Sequence, residues 1–329
     1  MKPCTLASSI LIAISFLFLG TNAGAQQMAD TTFKTFVEHP AYVGSHPRVI
    51  IDEAHSNFHT ADGRYKPFAD LLRSDGYRVI RGTSAFQMDS LAGVAVLVIA
   101  NALAPDATED SSGSAFSDEE CRVLRDWVRR GGSLLLIADH TPFGAAAGKL
   151  AAQFGVEMGR GFVFDLEHCE GNPTTLVFSR ENGLLGKHPI LRGRSTSEEI
   201  GRVVALTGQS LGVPARATAL LKLGAAAGEA PTREAGRRAL EAAVADTSGR
   251  TGPDTLYYRR AGGRAQAVAM KFGKGRVVVL GEAAMFSAQV IRFGEEGRQQ
   301  ERKFGMNMPG NDDKQFALNV MHWLSGALN

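Results

Sequence analysis

The sequence predicts a doubly wound, mostly parallel α/β sheet, and three observations support that fold class. Continuous apolar runs at residues 48–52, 95–100 and 134–138 have the pattern of strands covered on both faces. Helical periodicity lies between and after these runs, and strand–helix alternation in short succession argues parallel strands with right-handed crossovers. Each run also breaks into polar residues: Asp52 and Glu53, then Asn101, then Asp139 and His140.

The first strand, RVIID, leads into a polar turn and then Tyr65, Phe68, Ala69 and Leu72, whose i, i+3, i+4, i+7 spacing marks an amphipathic helix. Asp62 is placed to cap it, Pro67 is tolerated in its first turn, and Gly76 can end it. Residues 77–80 read as the second strand and 95–100 as the third. Ser117-Asp118-Glu119-Glu120 is a capping box for a helix that buries Cys121, Leu124, Trp127 and Val128 and closes at Arg129-Arg130-Gly131. After the strand at 134–138, residues 144–154 form a helix of small side chains.

The pattern weakens beyond residue 159, with strands expected near 162–164 and 203–206. Residues 224–263, rich in Ala, Gly and Arg, read as a partly irregular insertion or lid with one helix near 233–244. Residues 267–272 and 276–280 form a hairpin about Gly273-Lys274-Gly275, and Glu282 ends its second strand. Asn311 is placed to cap a last helix carrying Phe316, Val320 and Trp323. Residues 48–329 thus read as one α/β domain.

Residues 1–25 read as a cleaved export leader: Lys2, an uncharged apolar run at 6–19, then Ala23-Gly24-Ala25. The run is shorter than the roughly 20 residues a membrane span needs, so no stable span is expected after cleavage. Residues 26–47 then lead in over the surface. A periplasmic destination permits a disulfide between Cys121 and Cys169, but the helical position of Cys121 favours a small buried thiol. A net charge of +2 from 36 basic and 34 acidic residues supplies no field for nucleic acid.

Two local motifs are set aside. Asp52-Glu53-Ala54-His55 spells a helicase box, but the only phosphate-loop candidate, Gly144 to Leu150, is too short and lacks the Ser/Thr that would hold magnesium, so no nucleotide is expected. Gly208-Gln209-Ser210-Leu211-Gly212 matches a nucleophile elbow, but Val213-Pro214 stands where a helix should begin. The site is expected instead at the carboxyl ends of the strands, where doubly wound sheets bind ligands. Asp139, His140 and Glu282 are the catalytic candidates there, and Asp52, Glu53, Asn57 and Asn101 the ligand-binding ones. His55 and His59, four residues apart, are candidate ligands for a divalent metal. Arg180 and Glu181 are secondary candidates on a segment that could fold over the crevice.

The segments IIDEAHSNFHTADGRYKPFADLL, LVIANAL, GGSLLLIADHTPFG, GKGRVVVLGEAAMFS and GNDDKQFALNVMHWL together resemble the class I glutamine amidotransferase-like superfamily. More narrowly, they are similar to its exported members akin to the domain of gliding-motility-associated transport auxiliary proteins. The resemblance covers most of 48–158 and 266–328 and implies a flavodoxin-like fold. It also implies that a cysteine nucleophile should follow the strand at 134–138. That turn reads Ala138-Asp139-His140-Thr141-Pro142, so glutaminase chemistry, which needs a thiolate, is not expected. Two function classes remain. One is a hydrolase with Asp139 or Glu282 as base and His140 as acid. The other is an inert envelope module that binds a small polar molecule, a carbohydrate, a peptide or a transporter protein.

Overall fold

The computed structural model describes residues 26–105, 107–108, 113–245, 257–293 and 300–329. Its centre is a seven-stranded sheet built from β2 (Arg48–Asp52), β3 (Arg78–Gly82), β4 (Val94–Ala100), β5 (Ser133–Ile137), β10 (Thr218–Lys222), β13 (Ala265–Phe272) and β14 (Gly275–Leu280). The spatial order is β10-β13-β14-β5-β4-β2-β3. β14, β5, β4, β2 and β3 run parallel, while β13 and β10 are antiparallel additions at one edge. The hairpin joining β13 to β14 turns through Gly273, at φ +60°, and Lys274.

Period-two alternation divides the core between two faces. Val49, Ile51, Val96, Val98, Leu135 and Ile137 meet α1 (Lys66–Ser74) and α6 (Asp313–Ser325) on one side. Ile50, Leu97, Ile99, Leu134 and Leu136 meet α2 (Asp118–Arg130) and α3 (Phe143–Ala152) on the other. The α2 capping box forms as expected: Ser117 Oγ accepts from the Glu120 N–H, and the Glu120 side chain accepts from the Ser117 N–H. Cys121 is a free buried thiol, its pKa pushed up to about 11 by burial, so it does not pair with Cys169.

Three small sheets surround this centre: β1 (Gln26–Ala29) with β15 (Ala288–Phe293) and β16 (Gln300–Gly305); β6 (Phe162–Asp165) with β11 (Ala227–Ala230) and β12 (Arg259–Arg260); and β7 (Cys169–Glu170) with β8 (Asn172–Ser179) and β9 (Arg202–Leu206). Pro189–Arg192 forms a short helix, α4. The expected lead-in is therefore partly structural, because β1 pairs antiparallel with β15. The expected insertion folds as β11, α5 (Arg233–Ala245) and β12 against β6, with residues 246–256 outside the described ones. Asp62 does not cap α1. The chain first turns around the Thr60 carbonyl, which accepts from Gly63 and Tyr65, and the Asp62 carboxylate instead lies 3.3 Å from Arg81. At α6 the helix cap is Asp312, while Asn311 accepts from the Asp313 N–H. No helix among the described residues is long and apolar enough to cross a membrane.

Candidate functional site

The polar residues after β2, β4, β5 and β14 do gather at one edge of the sheet, but most of them are bound to each other or to backbone. Asp52 is fully buried, and both its oxygens face His55 Nδ1, at 3.0 and 2.9 Å. His55 Nε2 faces Glu120 Oε1 at 2.9 Å. The imidazole is packed between Phe86 and Phe116, with ring centroids 4.6 and 4.8 Å away. Burial opposes its charge, but the two carboxylates win and raise its pKa. This Asp–His–Glu clamp joins the loop after β2 to the start of α2.

Both ring nitrogens of His55 are thus engaged by carboxylates, and the structure does not bring His55 and His59 together on one ligand position. His59 points elsewhere, packing on Tyr65 at 4.6 Å and Phe58 at 5.4 Å. Among the described residues no group of three His, Cys, Asp or Glu side chains is arranged to hold a metal ion.

The other ligand-binding candidates serve the backbone. Glu53 accepts from the Ala61 N–H and from Arg81 Nε. Asn57 accepts from the His55 N–H. Asn101, at φ +50°, accepts from the Asp139 N–H at 2.9 Å and so sets the turn after β5. Arg180 donates to the Ile200 and Leu191 carbonyls and pairs with Glu199, as a strut within its own segment.

Asp139, His140 and Glu282 remain. Glu282 is fully buried, and its two oxygens accept from the Ala284 and Met285 N–H groups. Burial first, and the nearby Asp139 charge second, raise its pKa well above the ordinary carboxylate value. Asp139 is partly exposed and accepts from the His140 N–H. His140 stacks on Phe162 at 4.3 Å, faces the Thr141 carbonyl through Nδ1, and holds Nε2 3.8 Å from Asp139 Oδ1, beyond hydrogen-bond reach.

Further residues pack around these turns without a clear sequence signal. The Tyr65 hydroxyl donates to the Ala283 carbonyl, and burial, then the charges of Glu282 and Asp139, keep it protonated. Phe58, 42% exposed, lies 5.6 Å from Phe143 and carries the Arg64 guanidinium 3.9 Å above its ring. Gln209 donates to the Ala138 and Asp139 carbonyls and accepts from the Arg160 N–H. Gln209 lies within the glycine-rich motif set aside above. That motif's serine is buried and donates to Glu229 at 2.7 Å, as a turn and not an elbow.

No family model matches the sequence, and no curated protein matches it. The fold is similar to a solved structure titled the mmIFT52 N-terminal domain, at 16% identity and a TM-score of 0.55, over 84% of this chain and 97% of that one. This likeness shows the fold alone. Also similar are a protein of Bacteroides uniformis described as ThuA-like (10% identity, 88% of this chain, 93% of that one, TM-score 0.39) and a protein of Thermoplasma acidophilum described as part of a GMP synthase (11%, 85%, 97%, 0.38). The folds of both are class I glutamine amidotransferase-like. At those scores neither likeness carries an argument about this site.

Proposed function

We propose that this chain is an exported, non-catalytic binding module on a doubly wound, flavodoxin-like scaffold of the class I glutamine amidotransferase-like type. Its crevice beside β5 and β14 takes a small polar ligand. The strand order β3-β2-β4-β5-β14, renumbered along the chain, is 2-1-3-4-5, and helices cover both faces, which supports the scaffold. The order of the sequence motifs supports the narrower kinship with gliding-motility auxiliary proteins, and the N-terminal leader supports a periplasmic destination.

One observation carries the non-catalytic reading. At the turn where the superfamily's nucleophile would stand, Asp139 and His140 are not hydrogen-bonded to each other through their side chains. A nucleophile–base pair held within reach is the minimum that acyl-transfer chemistry asks of a site. The hydrolase alternative would need that pair to assemble on binding.

The test uses the mature chain and its Asp139→Asn variant. Both are assayed for release of ammonia from glutamine and for cleavage of chromogenic esters, amides and glycosides. They are then melted with and without a panel of sugars and short peptides. We expect no turnover, together with a rise in melting temperature for some ligand in the wild type that the variant loses. Turnover in the wild type that disappears in Asp139→Asn would overturn the reading.

A further inference from the structure

We infer that the wall of the crevice formed by residues 58–64 binds a carboxylate on the ligand, with Arg64 and His59 as its donors. This rests on the crevice being a ligand site and adds the chemical class of what enters it.

Arg64 Nε and His59 Nδ1 are both buried and have no hydrogen-bond partner. Buried polar atoms in native proteins are almost always paired, and a buried donor left alone costs about 1–3 kcal/mol, more when charged. Here two of them sit five residues apart on one loop. Neighbouring side chains on these loops are closed: His55 by two carboxylates, Glu53 by Ala61 and Arg81, Asn101 by Asp139. Arg64 Nε can only donate, so its missing partner is an acceptor that the described residues do not supply, and the neutral His59 ring adds a second donor in the tautomer protonated at Nδ1.

The charge says which acceptor. Arg64 has no carboxylate within ion-pair distance among the described residues, and its guanidinium lies on the half-exposed Phe58 ring at the crevice mouth. His59 is only 4% exposed, and burial, then the Arg64 charge, hold its pKa at about 3, so it stays neutral and adds a hydrogen bond without a second positive charge. One guanidinium fork beside a neutral donor matches a monovalent, planar carboxylate. A divalent phosphate would ask for more cations. Phe58, 42% exposed and packed on Phe143, offers an apolar surface for the carbon chain that bears the carboxylate.

The mature chain, labelled with 15N, would be titrated separately with butyrate, inorganic phosphate and glucose, following the Arg64 Nε–H and the His59 and His140 ring nitrogens. We expect butyrate to shift the Arg64 and His59 signals. Its affinity should fall about tenfold or more in Arg64→Gln and less in Arg64→Lys, which keeps the charge but not the fork. Thermal melts and backbone spectra of both variants check that the fold is kept. Unchanged butyrate affinity in Arg64→Gln overturns the inference, as does a stronger response of the same signals to phosphate. Glucose shifting His140 while butyrate leaves Arg64 and His59 silent overturns the carboxylate assignment and leaves the crevice standing. Silence of all three residues to every probe overturns both.

Discussion

Replacing His55 by alanine should destabilise the protein by about 3–5 kcal/mol near pH 6, because the substitution strands a buried charge. Asp52 is completely buried. Its Oδ1 keeps the Ala54 N–H at 3.2 Å, while the contact of Oδ2 with His55 is removed. Glu120 loses the same partner but keeps the Phe86 and Ser117 N–H groups, so most of the cost falls on Asp52. The imidazole also leaves a gap between Phe86 and Phe116. Against a total domain stability of about 5–15 kcal/mol, this is a large fraction. The pH dependence has a definite sign. The His55 pKa is raised in the folded state, so its contribution is complete below the unfolded value of about 6.5 and fades as pH rises through the folded value. The Glu120 pKa is lowered, by the His55 and Ser117 bonds against burial, so its share is lost as pH falls below about 4.5. Urea unfolding of wild type and His55→Ala between pH 4 and 9 should therefore show the widest gap near pH 5–6 and a narrower one at the alkaline end. The double variant Asp52→Asn/His55→Asn, which removes the stranded charge, should recover part of the loss. A cost below about 1 kcal/mol, or a gap independent of pH, would refute the clamp.

Two further substitutions test the floor of the crevice. In Glu282→Gln the amide nitrogen cannot accept one of the Ala284 and Met285 N–H bonds, so the variant should be about 1–2 kcal/mol less stable at pH 4. The Glu282 pKa is raised in the folded state, so wild-type stability falls as pH rises above the unfolded value of about 4.5, and the variant's deficit should shrink between pH 4 and pH 7. A gap that does not move between these pH values would contradict the raised pKa. Gly144→Ala puts a Cβ into the Gln209 side chain, which holds the Ala138 and Asp139 carbonyls. Despite alanine's better helix propensity it should cost about 1–3 kcal/mol by urea unfolding, and a stabilised variant would show that Gln209 is free to move.

What was legible in the sequence was local or periodic. The capping box at Ser117 and Glu120 spans three residues and formed as read, and the buried strands announced themselves as unbroken apolar runs. The gathering of Asp52, Asn101, Asp139 and Glu282 at one edge follows from parallel strands all ending there. What those residues do was hidden, because it depends on partners far away in the chain. Glu120 meets His55 across 65 positions, and no spacing rule reaches that far. The raised pKa of Glu282 comes first from burial, which composition does not report. β1 is a four-residue strand at the edge of a small sheet, too short to display alternation. Tyr65 looked like the start of an amphipathic helix, and only the folded chain reveals its hydroxyl bonded to the Ala283 carbonyl and its neighbour Arg64 with an unpaired Nε.

The loops at the point where strand order reverses bear on where the proposed crevice can lie. That point lies between β2 and β4, and sheets of this kind ordinarily admit ligands there because the two following loops diverge. Here the loops are tied together. The Phe58 N–H donates to the Asn101 carbonyl at 2.9 Å, and the Leu103 N–H donates to the His55 carbonyl at the same distance. Main-chain bonds thus span the gap that a ligand would enter, and the His55 clamp fixes one of the loops from beneath. The polar residues that crowd the loop after β2 are what this closure requires, since they satisfy backbone groups that water would otherwise reach. Beside the tied loops Phe58 packs on Phe143 and carries the Arg64 guanidinium over its ring, while His59 packs against its edge.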